Sequence, residues 1–387
     1  MLQIALKMLF GDRGKYLGIV MGIALASILM IQQPGIMISI LKTVNGLITN
    51  VSGPDIWVMD PTVKNVDDGK ALMDTQLYRV RGVRGVAWAV PFFKGAQKVR
   101  LSNGEQVQSV LIGLDDATLI GGPAEFTEGS LANLRQPDSV IVDKAGAEGR
   151  LAKPSSTPGG KPIPLKVGDT LEINDKRAVV AGIAKGVQTF ASQPMIYTTY
   201  SRAKGDYASS ERKMLTYILA KAQDGEAPEA VARRISRSTG LGALTVDEFK
   251  EKTLDYMIHN TSIIANFGFV VVVGFIVGAA VTGQIFYNFT LDNLRHFGVF
   301  KAMGTTDRTL RRMILLQALV VGFTGFGLGA GVISLYTLLS SGSDMTMTLN
   351  WQLLAGSGGA VMIIVLLAAL VSIRKVMKLE PAIVFKG

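Results

Sequence analysis

Histidine and cysteine, two residue types that often act as a general base or a nucleophile, are scarce or absent in this chain. His259 and His296 are the two histidines, and the absence of cysteine excludes thiolate nucleophiles, disulfides and thiolate metal sites. Ser139 and Asp143 lie close together, but a serine triad also needs a histidine base, and neither histidine is near them. We predict no catalytic site, no metal site and no bound cofactor.

Phosphate-binding loops are also missing from the sequence. The Gly-Lys pairs at 14–15, 69–70 and 160–161 are not followed by Ser or Thr, the hydroxyl that a Walker loop uses for Mg²⁺. We therefore expect that this chain is not an enzyme and does not hydrolyse ATP by that route.

Four long uncharged runs dominate the organisation of the chain. They are Tyr16–Leu41, Asn260–Leu291, Met313–Ser343 and Met345–Ile373. Each exceeds the roughly 20 apolar residues needed to cross a bilayer, and lipid favours helices because it offers no hydrogen-bond partner to an open backbone. The first run is too long for a cleaved signal peptide, so an uncleaved anchor is the better interpretation. The prediction is an integral membrane α-helical protein with one span before and three spans after a large outer domain.

Charge predicts the orientation of these spans. The N-terminal flank, the insert 292–312 and the C-terminal tail hold twelve basic and four acidic residues, whereas the remainder is nearly balanced. Basic flanks mark the cytoplasmic side, so we expect a multi-pass protein of the bacterial inner membrane with the long segment 42–259 outside the cytoplasm. Anionic lipid also explains this basicity, and nucleic-acid binding has little support.

The outer segment has the pattern of a mixed α/β domain. Short apolar runs with turn signals between them predict strands, and Asn103-Gly104 is a strong two-residue hairpin signal. The predicted strands are Asp55–Met59, Val86–Pro91, Ala96–Leu101, Gln106–Leu114, Lys166–Ile173, Arg177–Ile183 and Leu215–Ala220. A helix is predicted over Glu229–Ser238, with Val231 and Ile235 facing inward.

A second helix is predicted to begin at a capping box formed by Thr245 and Glu248. If it continues to Leu291 it measures roughly 70 Å, about twice the hydrocarbon thickness. The excess would form a stalk outside the membrane, with residues 42–52 as its partner. The N-terminal residues have apolar positions at helical spacing and predict either an interfacial helix or a simple basic flank.

These patterns predict the following segments: interfacial helix 1–15, first span 16–41, stalk 42–52, periplasmic α/β domain 53–244, stalk 245–261, second span 262–288, cytoplasmic loop 289–312, third span 313–340, short outer loop 341–350, fourth span 351–373 and cytoplasmic tail 374–387. Small residues at a spacing of four let helices approach closely, and we select Gly274, Gly278, Gly325 and Gly329 as helix-packing positions. The sequence leaves open whether these glycines pack within one subunit or across a dimer seam.

The cytoplasmic loop combines basic and apolar residues. Arg295, Lys301, Arg308, Arg311 and Arg312 accompany an apolar set that includes Phe297, Val299 and Phe300. Gly298 and Gly304 are expected to bracket a short helix. This helix could lie on lipid as an amphipathic turn, or it could bind a partner protein, which would supply the energy source that the chain lacks.

The loop residues 295–304, RHFGVFKAMG, resemble the R-E-I-G-V-L-K-A-L-G loop of FtsX-like and MacB-like ABC transporter permeases. The tail residues 378–383, KLEPAI, are similar to the D-P-A-E-A-L ending of that family, and the arrangement of spans agrees over the full chain. Residues 53–57, GPDIW, look most similar to the DevC branch. His296 and Phe297 replace the usual acidic-aliphatic pair, and Phe300 replaces Leu, so we expect the ATPase contact that the resemblance implies to be tuned to its own partner.

The resemblance implies a homodimer that binds a separate ATP-binding subunit, a periplasmic adaptor (membrane fusion) protein and an outer-membrane channel. It implies that ATPase movement is transmitted through the stalk, a mechanotransmission mechanism for export of a lipid, a glycolipid or another amphiphile. The ATPase-docking residues would be Arg295, Phe297, Gly298, Val299, Phe300, Lys301, Ala302, Met303 and Gly304. The alternative is an FtsX-like signalling scaffold that regulates cell-wall hydrolases without transport. A membrane-anchored enzyme has no residues in its favour.

Overall fold

A computed structural model describes residues 2–155, 160–186, 193–208, 214–339 and 347–377. The chain divides into two compact units, Met1–Ser39 with Ser262–Gly387, and Ile40–Thr261. The helices are α1 (Leu2–Gly11), α2 (Arg13–Val44), α3 (Gly46–Asn50), α4 (Thr75–Arg81), α5 (Lys144–Glu148), α6 (Tyr200–Arg202), α7 (Pro228–Thr239), α8 (Val246–Asn260), α9 (Ile263–Asp292), α10 (Leu294–Ala302), α11 (Asp307–Leu339) and α12 (Trp351–Met377).

Within the described ranges, α2, α9, α11 and α12 are long and apolar enough to cross a membrane. They come from the four uncharged runs, one before and three after the outer domain, as the sequence predicts. The short α1 belongs to the same unit, because Ala5 and Leu9 are fully buried in its core and the Gln317 side-chain amide donates a 2.8 Å hydrogen bond to the Ala5 carbonyl. Part of the predicted loop 341–350 and the tail motif 378–383 lie outside the described residues.

The second unit is built on a ten-stranded mixed sheet. Its strands are β1 (Ile56–Met59), β2 (Val86–Arg100), β3 (Gln106–Leu114), β4 (Glu125–Glu128), β5 (Ser139–Asp143), β6 (Thr170–Ile173), β7 (Lys176–Lys185), β8 (Met195–Thr199), β9 (Tyr217–Ala222) and β10 (Gly242–Thr245). Their order is β10-β1-β9-β2-β3-β8-β5-β7-β4, and β6 pairs with both β2 and β7. The pairs β3–β8 and β5–β7 are parallel, and the α/β class of this domain agrees with the prediction.

The long strand β2 joins the two halves of this sheet. Its first half pairs with β9, and its second half pairs with β3 and β6. The sequence predicted two separate strands here because Pro91 and Gly95 interrupt the apolar pattern. At Pro91, β2 pairs with β9 on one side only, and proline is tolerated where one side of a strand is unpaired.

The capping box at Thr245 forms as predicted. The hairpin between β2 and β3 also forms, but its loop has three residues, 102–104, and not the predicted two, because the Leu101 amide binds the Glu105 carbonyl. Helix α7 contains Val231 and Ile235, which are both fully buried. The predicted strand beginning at Lys166 is too long, because the Lys166 amide binds the Asp169 carboxylate across a turn and the strand starts at Thr170. The strands β5 and β8 were missed, because each is a short buried run without alternation.

The predicted uninterrupted helix from Thr245 to Leu291 is wrong. Helix α8 ends at Asn260, Thr261 is extended with φ −113° and ψ 148°, and α9 begins at Ile263. The Thr261 hydroxyl donates to the Met257 carbonyl, which satisfies an acceptor of the last turn. Because Asn, Thr and Ser side chains compete for backbone hydrogen bonds, the sequence Asn260-Thr-Ser262 favours a helix end.

Helix α2 is likewise separate from the helical segment that follows it. It runs through Pro34 to Val44, and the chain turns at Asn45 before α3. The Asn45 side-chain amide donates a 3.3 Å hydrogen bond to the Lys250 carbonyl of α8. The predicted helical extension beyond the first span is therefore divided at Asn45, where the side chain binds a neighbouring helix.

Candidate functional surface

The cytoplasmic loop forms the helix α10, which is amphipathic. Phe297 is 1% exposed and packs in the core of the membrane unit together with Leu310 and Met313. The opposite side carries Arg295, Val299, Ala302 and Met303, which are all exposed and follow a spacing of three or four residues. We call these four residues the α10 face. Gly298 lies inside the helix and is buried, so the prediction that it brackets the helix is wrong.

The predicted ATPase-docking residues therefore fall into two groups. The α10 face is exposed, with Val299 at 38% and Met303 at 65%. The other predicted docking residues lie outside this face. Phe297 and Gly298 are buried, Phe300 and Lys301 are half-buried, and Gly304 is exposed after the end of the helix. Gly304 has a φ of +86°, a left-handed conformation that glycine adopts without strain at a helix end.

The Lys301 ammonium faces the membrane unit. Its Nζ lies 3.5 Å from an Asp307 carboxylate oxygen at the start of α11 and 3.4 Å from the Met377 carbonyl at the end of α12. Two further ion pairs lie before the N-terminal end of α10, where the Lys15 ammonium contacts the carboxylates of Asp12 at 2.9 Å and Asp292 at 2.6 Å. These contacts hold α10 between the cytoplasmic ends of the spans, with the α10 face turned outward.

The predicted helix-packing glycines all lie against α2 of the same chain. A Cβ on Gly274 would be 3.3 Å from Leu29 Cβ, and one on Gly278 would be 2.5 Å from Ala26 Cβ. A Cβ on Gly325 would be 2.6 Å from Ile23 Cβ, and one on Gly329 would be 2.7 Å from the Ala24 carbonyl oxygen. These four glycines therefore pack within one subunit and not across a dimer seam.

The residues considered for catalysis have structural partners. The Ser139 hydroxyl donates to the Gln136 carbonyl, and the Asp143 carboxylate accepts hydrogen bonds from the Gly146 and Met195 amides. His259 lies in the outer unit, 2.9 Å from Asp255, whereas His296 lies exposed on α10 in the membrane unit. Among the described residues no group of His, Asp and Glu has the arrangement of a metal site.

Two family models match this chain. The model of the MacB-like periplasmic core domain matches residues 16–238, and that of the FtsX-like permease C-terminal region matches residues 268–381. The chain belongs to the MacB-like periplasmic core domain family. With its FtsX-like C-terminal part, it is a permease of the MacB and FtsX type, a multi-pass protein of the inner membrane whose large domain is periplasmic.

Curated relatives come from mycobacteria. An uncharacterized ABC transporter permease of Mycobacterium tuberculosis is 25% identical over 242 residues, which are 62% of this chain and 64% of the relative. One of Mycobacterium bovis is 25% identical over 221 residues, 57% of this chain and 58% of the relative. The match thus spans about 64% or less of the length of these relatives.

Solved periplasmic domains show a distant likeness. The periplasmic region of MacB from Actinobacillus actinomycetemcomitans is 12% identical with a TM-score of 0.36, and covers 55% of this chain and 95% of its own. The extracellular domain of the noncanonic ABC-type transporter YknZ from Gram-positive bacteria is 13% identical with a TM-score of 0.35, and covers 50% of this chain and 99% of its own.

Proposed function

We propose that this permease is the membrane subunit of an ABC exporter that transmits movement of a separate ATP-binding subunit to its periplasmic domain. It acts as a homodimer with a periplasmic adaptor and an outer-membrane duct, and it exports a lipid, a glycolipid or another amphiphile. We also propose the domain boundaries given above and the assignment to the DevC branch. The family match and the relatives, which are described as ABC transporter permeases, support it.

The α10 face is the observation on which the proposal depends. The helix packs against its own chain through Phe297 but exposes two neighbouring apolar side chains, Val299 and Met303, which are 38% and 65% accessible. Apolar side chains beside an arginine are typical of the centre of a protein interface. Phe297, on the buried side, transmits force instead, because a push on α10 passes through it into the core formed by the spans.

The test compares two methionines of nearly equal exposure. Met303→Asp puts a charge into the α10 face, whereas Met73→Asp puts the same charge on the periplasmic domain, where Met73 is 63% exposed. We expect Met303→Asp to lower the amount of ATP-binding subunit that co-purifies by about tenfold or more, since desolvating an unpaired charge in an interface is costly. Met73→Asp should leave the ATPase bound.

Equal co-purification of the ATPase with both variants would contradict docking at the α10 face. Phe297→Asp is a poor probe of docking, because a charge in the core of the membrane unit would disturb the fold itself. Lipid analysis of the purified complex then tests the cargo. A complex with the ATPase that holds no amphiphile but retains a cell-wall hydrolase would favour the signalling scaffold over export.

A further inference from the structure

A second exposed surface lies beside α10, at the start of α11. Arg308, Arg311 and Arg312 are all exposed and lie at positions i, i+3 and i+4, so they share one side of the helix. Among the described residues, none forms an ion pair or a side-chain hydrogen bond with the guanidinium group of any of the three. The nearest acid in the sequence, Asp307, lies 3.5 Å from Lys301 instead. The three guanidinium groups are therefore open to an external anion.

The helix dipole does not favour these arginines. Arg308 lies in the first turn of α11, where the dipole disfavours a cation, and Arg311 and Arg312 in the second turn gain nothing from it. The positive-inside rule explains why some basic residues occur on this flank, but it does not require three arginines on one side of one helix. A guanidinium group can bind two oxygens of one phosphate or carboxylate, and at a membrane surface the phosphate of a lipid headgroup is the more abundant of these anions.

The same side of α11 continues as an exposed apolar surface along a helix that is long and apolar enough to cross a membrane. Leu319 follows Arg308 and Arg312 at helical spacing and is 37% exposed, and Phe323 one turn later is 65% exposed. Exposed apolar side chains within a membrane-spanning helix lie against acyl chains. If α11 crosses the membrane, the arginines would lie near the cytoplasmic headgroups, because they precede this exposed apolar side by two to three turns.

We infer that Arg308, Arg311 and Arg312 form a binding site for an anionic phospholipid of the inner leaflet. The phosphate of the headgroup binds the guanidinium groups, and an acyl chain lies along Leu319 and Phe323. This site is distinct from the α10 face, and its existence does not depend on the proposed transport function. An ordered lipid at this position would hold the start of α11 next to α10, where Lys301 contacts Asp307.

The test measures lipid retained by the full-length protein. Phosphatidylglycerol or phosphatidylcholine is added to protein in detergent, and the bound lipid is counted by native mass spectrometry. Each arginine changed to Gln should weaken phosphatidylglycerol binding about fivefold, so that the triple variant binds roughly a hundredfold more weakly. Phosphatidylcholine binding should not change, and added salt should weaken phosphatidylglycerol binding to the unaltered protein.

The matched control removes three exposed arginines from the periplasmic unit, by Arg84→Gln, Arg233→Gln and Arg237→Gln. This control lowers the net charge equally and should retain phosphatidylglycerol like the unaltered protein. If the two triple variants retained equal amounts of phosphatidylglycerol, the proposed lipid site would be wrong. Loss of the co-purifying ATPase with unchanged lipid retention would also overturn it, and would assign the arginines to a protein partner. If the triple variant does not fold, Arg312→Gln alone should still show the fivefold loss.

Discussion

Asp143 is a buried carboxylate at the end of β5, and burial raises its pKa to about 6. Its two oxygens accept backbone hydrogen bonds from Gly146 at 3.0 Å and Met195 at 2.6 Å. These bonds favour the charged form, but removal from water outweighs them. The folded protein therefore binds a proton at Asp143 more tightly than the unfolded chain, whose aspartates have a pKa of about 3.9.

This pKa predicts how the stability of the protein depends on pH. The contribution of Asp143 to the free energy of unfolding should be greatest below about pH 4 and should be lost as the pH rises to about 6, because the folded state holds the extra proton over that range. Asp143→Asn removes this titration. We expect the unfolding temperature of the unaltered protein to rise relative to that of Asp143→Asn between pH 6 and pH 4.

Asp175→Asn is the control for this measurement. Asp175 is an exposed residue whose side chain is 78% accessible, and its left-handed backbone, with φ +61°, suits asparagine as well. The difference in unfolding temperature between the unaltered protein and Asp175→Asn should vary less with pH. If Asp143→Asn showed the same pH dependence as the unaltered protein, Asp143 would not be the titrating group.

The spans approach one another through glycines. Helix α11 contains one glycine that is closely packed against another helix and one that is not. Gly329 in α11 faces α2, where an added Cβ would lie 2.7 Å from both the Ala24 carbonyl oxygen and Ser27 Cβ. Gly327, two residues earlier, has nothing within 4 Å of such a Cβ. We predict that Gly329→Ala destabilises the membrane unit by about 1–3 kcal/mol, because the neighbouring backbone must move.

Gly327→Ala should change the stability little, and thermal unfolding of both variants in detergent provides the comparison. Alanine at position 327 also improves the helix propensity, which works against any loss. A larger loss for Gly327→Ala than for Gly329→Ala would contradict the assignment. It would indicate instead that a second copy of the chain covers the Gly327 side of α11.

The membrane topology can be tested with single cysteines, because the natural chain contains none. Ser102→Cys lies in the exposed hairpin loop of the periplasmic domain, and Met303→Cys lies on the α10 face. We expect a membrane-impermeant maleimide to label Ser102→Cys in cells with a permeabilised outer membrane. It should label Met303→Cys only after the inner membrane is also opened. Labelling of both cysteines from the same side would exclude this topology.

The spans, their number and their orientation could be predicted from the sequence. Hydropathy and charge are properties of continuous segments, and a membrane acts on each segment separately, so no knowledge of distant contacts was needed. The hairpin at Asn103-Gly104 and the cap at Thr245 were predictable for the same reason, because each depends on neighbours within a few residues.

Only the tertiary structure decided which loop residues are exposed. Phe297 and Val299 are both apolar and lie two residues apart in one motif, but the first is in the core and the second is accessible. Their exposure differs because only one side of α10 packs against the spans. The residues that pack against that side, such as Leu310 and Met313, are more than ten positions away in the sequence. The end of helix α8 before Thr261 and the single strand through Pro91 were decided likewise, by hydrogen bonds and strand pairing that a local pattern does not contain.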